Sequence, residues 1–211
     1  MNLSKSEKEI FSKFRKGTKS SIKKAVKEGV NVIVTSSLEG IKEFYKLNII
    51  TRKKHGMPPQ PYIFFENIYK NIIEQDLGII VLSTKAEKVI AGAVFFYFGD
   101  EAFYKYSASD PSSVHLSPNN VVMWEAIKWF NNRGFTSLCF GRSESSNLGL
   151  IRFKSGWGTE EAHLKYYRFD ITKGLFIGDT EGHLHTYRGI FKKMPALILT
   201  AIGNFSYRHM G

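Results

Sequence analysis

The stretch GIIVLSTKAEKVIAGAVFFYFGDEAFYKYSAS, residues 78–109, decides the fold. Its three apolar runs, GIIVLST, AGAVFFYF and AFYKYSAS, predict three strands in succession. Gly99 and Asp100 stand between the last two runs and predict a tight hairpin turn. The run at 91–98 is almost continuously apolar, which is typical of a strand buried on both faces. We therefore expect a sheet that is covered on both sides.

Helical and strand patterns surround this stretch. Ile10, Phe14, Ile22 and Val26 recur at multiples of four residues, which predicts an amphipathic helix or helix pair over 5–28. The remaining patterns predict, in chain order, a strand at 30–36, helices at 38–51, 62–75 and 117–133, a strand at 137–143, a helix at 148–158 and a strand at 163–170. This order indicates an α/β (α+β) fold class with a mixed sheet.

Composition indicates a cytoplasmic protein. The N-terminal residues lack the apolar segment of a signal peptide, and the apolar tract at 195–202 is too short to span a bilayer. Cys139 is the single cysteine of the 211 residues, so no internal disulfide can form. Because it lies in an apolar run, we predict a buried structural thiol.

The positive charge is concentrated near the N-terminus. Residues 1–54 hold 14 Lys and Arg against 5 Asp and Glu, a balance of +9 within a net charge of +11. This segment predicts a polyanionic partner, namely nucleic acid, a phosphorylated substrate or an anionic membrane surface. A solvated helix face is the alternative interpretation. The candidate polyanion-binding residues are Arg15, Lys19, Lys23, Lys24 and Lys27.

Several common catalytic signatures are absent from the sequence. It contains no GxxxxGK[ST], no GxGxxG after a strand, no HExxH and no cluster of Cys and His with metal-ligand spacing. His183 and His185 alternate in a glycine-containing segment, which more often means solvated side chains than ligands. We therefore expect no bound metal and no tightly bound cofactor.

A cationic site remains as the candidate centre of the chemistry. Ligands of α/β sheets favour the carboxyl ends of strands, and FGRSESSNLG, residues 140–149, follows such an end with Arg142 in it. On a helical wheel Lys154 lies in the middle of the apolar arc of the next helix. An ion pair with Glu144 would be a purely structural role for Arg142. For Lys154 the corresponding role is a side chain that extends over Trp157 into water.

Five segments in fixed order resemble the FemABX-like branch of the GNAT acyltransferases. They are RKGTKSSIKKAVKEGVNV, FYKLNIITRKKHGMPPQPYIFF, YKYSAS, FGRSESSNLGLIRFKSGWGTE and MPALILTAIGNFSYRHMG. The resemblance implies a single GNAT-like domain with a mixed, mostly antiparallel sheet flanked by helices. It divides the chain into a basic helical segment, 1–54, and the acyltransferase domain, 55–211, in one compact unit.

The resemblance also implies an activity. Members transfer an aminoacyl or acyl group to an amine of a cell-wall or cell-surface glycan precursor, so the implied acceptor is an amine-bearing glycan or muropeptide. The implied donor is aminoacyl-tRNA, with acyl-CoA as the alternative. The F-K-x-G-[FW]-G box implies that Lys154, beside Phe153, stabilises the oxyanion of the tetrahedral intermediate. The implied substrate-binding residues are Tyr104, Tyr106, Ser109, Gly141, Arg142 and Trp157.

Other partners follow from the family and from the charge pattern. Family members carry two GNAT-like domains, and this chain resembles the second. The resemblance therefore implies one of three things: a split subunit completed by a separate N-terminal half or by self-association, a truncated reading frame, or a degenerate single-domain relative. A non-catalytic RNA-binding module is the alternative from another functional class. The apolar segment 194–205, flanked by Lys192, Lys193 and Arg208, predicts peripheral membrane contact, with packing on the domain as the alternative.

Overall fold

The computed structural model describes residues 1–177 and 188–207. His183, His185 and Arg208, which the sequence analysis considers, lie outside the described residues. The elements are α1 (Glu7–Ser12), α2 (Lys16–Lys27), β1 (Asn31–Thr35), α3 (Leu38–Lys54), α4 (Tyr62–Ile68), β2 (Gly78–Lys85), β3 (Lys88–Phe98), β4 (Glu101–Ser109), α5 (Pro118–Asn131), β5 (Ser137–Cys139), α6 (Leu148–Ser155), β6 (Arg168–Asp170), β7 (Leu175–Ile177), α7 (Arg188–Lys193) and α8 (Ala196–Ser206).

The central sheet has five strands in the order β1-β2-β3-β4-β5. Its first four strands are antiparallel, and β5 pairs parallel to β4. The predicted mixed, mostly antiparallel sheet is therefore confirmed. The turn between β3 and β4 lies at Gly99 and Asp100, and Gly99 has a φ of +58°.

A helical layer covers each face of this sheet. The layer with α2 and α5 encloses Phe95 and Phe130, and the layer with α3 and α4 encloses Val94, Phe44 and Phe65. Neighbouring residues of β3 thus enter different cores, and both Val94 and Phe95 are fully buried. Burial on both faces, which the apolar run 91–98 predicts, is confirmed. Each fully buried Phe or Val contributes about 1.5–3 kcal/mol to the free energy of folding.

The N-terminal segment forms a helix pair, as predicted. Helix α1 begins at a capping box, in which the Ser6 hydroxyl accepts the Glu9 amide hydrogen and the Glu9 carboxylate accepts the Ser6 amide hydrogen. A bend at residues 13–15 separates it from α2, which ends before Gly29 at a φ of +69°. The inward face of α2 differs from the prediction, because Val26 is 65% exposed whereas Ala25 is fully buried.

The C-terminal half departs from the sequence-based prediction in three ways. Strand β5 is shorter than predicted and ends at Cys139. Cys139 itself is exposed, so the predicted buried thiol is wrong: it is the last residue of a short strand, and its side chain lies on the side opposite that of the buried Leu138. The segment at 163–170 forms a strand only over β6, which pairs with β7 in a separate two-stranded sheet.

Candidate active site

Strands β4 and β5 part at the position where the candidate site begins. Their parallel pairing ends at Phe103 and Cys139, while β4 continues to Ser109. Gly141 turns the chain away with a φ of +68°, and a Cβ atom there would lie 3.4 Å from the carbonyl oxygen of Tyr104. The result is a fork between the two strands, which we call the β4–β5 fork.

The side chain of Lys154 enters the β4–β5 fork from helix α6. Its Nζ donates hydrogen bonds to the carbonyl oxygens of Gly141, at 2.8 Å, and Arg142, at 3.0 Å. The ammonium is therefore not simply extended into water over Trp157. An ammonium carries three donor hydrogens, and among the described residues two of them have acceptors. The third is available to a group that enters the fork.

The surroundings of Lys154 make its protonated form less stable than that of a solvated lysine. Partial burial lowers the pKa of Lys154 below its ordinary value, and nearby Cys139 opposes this in part. An ammonium with few waters around it interacts more strongly with a developing negative charge than a solvated one does. Arg152, two residues earlier on α6, is exposed on another side of the helix.

The Gly-Trp-Gly part of the box has a packing role. The Trp157 ring is fully buried and contacts Phe14 at 5.0 Å and Phe153 at 5.9 Å between ring centroids, edge to face. Its Nε1 has no hydrogen-bond partner in the described part of the chain. The Trp157 ring has no exposed surface for the predicted substrate contact. Its role here is packing, because it contacts Phe153, the residue before Lys154.

The two glycines of the box make room for the bend between α1 and α2. A Cβ at Gly158 would lie 3.0 Å from Cβ of Lys13, and one at Gly156 would lie 2.6 Å from Oγ1 of Thr18. The Arg15 amide donates a 2.9 Å hydrogen bond to the Gly156 carbonyl. Sequence reasoning missed this contact, although two glycines beside a tryptophan are a signal of close backbone approach.

Arg142 lies at the edge of the fork with its guanidinium exposed. The guanidinium carbon is 5.2 Å from the ring centroid of Tyr166, and the hydrogen bond with Tyr166 raises the pKa of Arg142. Among the ion pairs of residues 1–177 and 188–207, none joins Arg142 to Glu144. The structure brings the backbone of Arg142 to Lys154 and its side chain to Tyr166.

The two candidate tyrosines of β4 lie on opposite faces of the sheet. A bulge shifts the register, so that Tyr106 pairs with Val94 and Tyr104 pairs with Phe95. Tyr104 packs near Phe140 beside the fork, and burial raises its pKa to about 12. Tyr106 packs with the aromatic cluster of α4. The structure therefore brings Tyr104 to Gly141 and places Tyr106 on the other side.

Ser109 lies at the far end of β4, away from the fork's opening at Tyr104. Its amide donates to the Thr51 hydroxyl at 3.0 Å, and the same hydroxyl donates to the Ser109 carbonyl at 3.2 Å. These bonds tie β4 to α3. The backbone of Ser109 thus has a structural role in this arrangement.

The candidate polyanion-binding residues lie on helix α2, except Arg15, which is its N-cap. Lys23, Lys24 and Lys27 are exposed, and none forms an ion pair with another described residue. Lys19 is partly buried: its Nζ donates to the Ser12 carbonyl at 2.7 Å and lies 5.7 Å from the Phe11 ring. Arg15 is exposed and lines a pocket between helices. The patch is therefore a real basic surface from which Lys19 is partly withdrawn.

Two further observations concern the described residues as a whole. Across residues 1–177 and 188–207, no three His, Cys, Asp or Glu side chains converge in a way that could hold a metal ion. Over the same ranges, no helix has both the length and the apolar character that crossing a membrane requires.

Comparison with known proteins identifies the family. The acetyltransferase (GNAT) domain family matches this chain over residues 12–155. A lipid II:glycine glycyltransferase of Staphylococcus epidermidis is 23% identical over 74% of this chain and 54% of its own length. A UDP-N-acetylmuramoylpentapeptide-lysine N(6)-alanyltransferase of Weissella viridescens is 26% identical over 65% of this chain and 41% of its own.

A solved structure gives the same fold. The crystal structure of FemX matches with a TM-score of 0.68 and 20% sequence identity, over 76% of this chain and 57% of that one. The chain spans about half the length of the curated relatives it matches. It belongs to the acetyltransferase (GNAT) domain family, within the FemAB-like branch of that family.

Proposed function

We propose that this chain is an N-acyltransferase that moves an aminoacyl or acyl group onto an amine of a cell-wall or cell-surface glycan precursor. The observation that carries the proposal is the Lys154 ammonium, which two carbonyls hold in the β4–β5 fork with one hydrogen uncommitted. The names of the relatives, a glycyltransferase on lipid II and an alanyltransferase on a UDP-linked muropeptide, support this class of donor and acceptor.

The proposed reaction has two steps. The lone pair of the acceptor amine attacks the carbonyl carbon of the activated donor, a C–N bond forms, and the carbonyl oxygen becomes an oxyanion. The third hydrogen of the Lys154 ammonium is donated to this oxyanion. The intermediate then collapses, the C–O or C–S bond to the donor breaks, and the amine proton passes to water or to the leaving group.

The proposed donor is aminoacyl-tRNA. The exposed lysines of α2 support a polyanionic donor, because each phosphate contact adds salt-dependent affinity. Acyl-CoA is the alternative donor. Since the chain spans about half of its relatives' length, the proposal includes a separate N-terminal half or a second copy as a partner in acceptor binding.

Peripheral membrane contact in the cytoplasm is part of the same proposal. Helix α8 packs on the domain through Leu199, which is fully buried, while Leu197 is 86% exposed and follows the basic residues Lys192 and Lys193 closely in the sequence. Apolar and basic residues together favour an anionic bilayer surface, where a lipid-linked acceptor would be found. Flotation with anionic liposomes tests this contact, and protein that stays at the bottom of the gradient contradicts it.

A transfer assay tests the proposed function. The chain is incubated with a UDP-linked muropeptide and with either alanyl-tRNA or acetyl-CoA, each labelled in the acyl group. We expect label in a base-stable amide with the first donor, and the second donor distinguishes the acyl-CoA alternative. If a folded sample transfers label from neither donor, both alone and with the N-terminal half of a relative added, the proposed function is contradicted.

A further inference from the structure

A second polar pocket lies between helices α2, α5 and α6. It is an open pocket of about 260 Å³, lined by Arg15 at the N-cap of α2, Thr18 and Ser21 of α2, Asn120 of α5, and Gly149, Arg152 and Phe153 of α6. Arg152 and Phe153 precede Lys154 on α6, whose side chain leaves the helix toward the fork. Since an α-helix is about 10 Å across, the pocket and the Lys154 ammonium are separated by roughly that distance.

The charges that line this pocket are uncompensated. Two guanidinium groups line it, and no carboxylate does. In the described part of the chain neither Arg15 nor Arg152 has a side-chain ion pair or hydrogen bond. Guanidinium groups match the geometry of phosphate oxygens, with which they form paired, charge-assisted hydrogen bonds.

Thr18 presents its hydroxyl to this pocket. The residue is only 4% exposed and lines the pocket, and its hydroxyl oxygen is absent from the fully buried, unpartnered side-chain atoms of the described residues, so the oxygen is open to the pocket. An open hydroxyl beside a guanidinium can donate a hydrogen bond to a phosphate oxygen. The Thr18 hydroxyl and Nη2 of Arg15 lie side by side over Gly156, 2.6 and 3.2 Å from the position of a Cβ on that residue.

The backbone adds positive potential to the same pocket. Thr18 and Gly149 each lie in the first turn of a helix of at least eight residues, namely α2 and α6. Amide hydrogens in a first turn have no partner within the helix and favour a negative charge nearby. The Asn120 amide of α5 instead donates to the Ser117 carbonyl. Two such turns around one pocket, together with two arginines, make a site for a compact anion.

We propose that this pocket binds a phosphate group of a phosphorylated substrate of the transfer reaction. The inference rests on the proposed function for the identity of the substrate, but the phosphate site itself does not depend on turnover. Phosphate bound here would fix the substrate across α6 from the Lys154 ammonium. The phosphate can belong to the diphosphate of a nucleotide-linked acceptor or to the backbone of an RNA donor, which share this chemistry.

Calorimetric titration with inorganic pyrophosphate tests the site. We expect binding to the parent chain, and at least tenfold weaker binding to Arg152→Gln and to Arg15→Gln, since each loses a charge-assisted contact. Arg168→Gln, an exposed arginine of β6, is the matched control and should bind like the parent. Gly156→Ala keeps a helical φ of −63° but places a methyl group against Thr18, and it should weaken binding as well.

Two competitors identify the source of the phosphate. Displacement of pyrophosphate by uridine diphosphate assigns the site to a nucleotide-linked acceptor, and displacement by a short single-stranded RNA assigns it to the donor. The proposal is overturned if pyrophosphate binds the parent with a dissociation constant above about 0.1 mM, that is, less than tenfold tighter than 1 mM. It is equally overturned if Arg152→Gln binds as the parent does. Binding without acyl transfer would contradict the proposed function and leave the site intact.

Discussion

The backbone N–H of Arg15 donates a 2.9 Å hydrogen bond to the carbonyl oxygen of Gly156. This bond joins the N-terminal helix pair to the turn that follows Lys154, although the two residues are far apart in the sequence. The same turn contacts the pair through the edge-to-face rings of Phe14 and Trp157. The position of the Lys154 helix thus depends on the basic N-terminal segment.

Gly158→Ala should loosen this junction. Gly158 has a φ of +69°, and a Cβ there would lie 3.0 Å from Cβ and 3.1 Å from the carbonyl oxygen of Lys13. We expect a loss of about 2–4 kcal/mol in the free energy of unfolding, from the backbone strain and the collision together. Gly99→Ala is the matched control, because Gly99 has a φ of +58° and open space around it. Denaturant unfolding of both variants measures the difference, and equal losses would contradict the contact.

Asp110 should make the fold sensitive to acid. Its carboxylate accepts hydrogen bonds from Nζ of Lys88 at 2.7 Å and from the Ser112 amide and hydroxyl, which lower its pKa to about 2. The unfolded chain takes up this proton first, so the stabilisation is present above about pH 4 and is lost as the pH falls toward 2. Asp110→Asn should cost on the order of 1 kcal/mol at neutral pH. Unfolding midpoints of parent and variant should converge near pH 2, and a constant gap would argue against this origin.

The sequence predicts the sheet better than it predicts the site. The apolar run at 91–98 and the Gly99–Asp100 turn predict two successive buried strands, because continuous apolarity and turn chemistry act locally. The opposite orientations of Tyr104 and Tyr106 could not be predicted in this way. Residues two apart in a regular strand share a face, whereas a bulge here places these two on opposite faces of the sheet. The exposure of Cys139 depends likewise on how short β5 is, which only tertiary pairing determines.

The surroundings of Lys154 could likewise be predicted only in part. The helical wheel places it correctly on the inner arc of α6, but its carbonyl acceptors come from Gly141 and Arg142, beyond the reach of local periodicity. Local periodicity could not predict the pocket lined by Arg152 either, because three helices that are distant in the sequence form it.

The rate of acyl transfer should fall in alkali through the titration of Lys154. Burial lowers the pKa of Lys154 below 10.5, so its ammonium deprotonates at a lower pH than a solvated lysine, and an unprotonated amine cannot stabilise an oxyanion as well. Lys154→Arg should move the alkaline limb of kcat to higher pH, because a guanidinium stays protonated. Profiles of kcat against pH for parent and variant check this. An alkaline limb at the same pH in both would assign it to another group.

Turnover of Lys154→Met tests the central claim most directly. The methionine keeps an unbranched apolar stem and removes the charge that Gly141 and Arg142 hold in the β4–β5 fork. Lys42→Met, which removes a surface lysine paired with Glu39 on α3, is the matched control. With a competent donor and acceptor, we predict that Lys154→Met lowers kcat by about 10²–10³-fold, as for loss of one oxyanion contact, while its melting temperature stays within about 5 °C of the parent. A Lys154→Met chain that is folded and transfers the acyl group as fast as Lys42→Met would contradict the account.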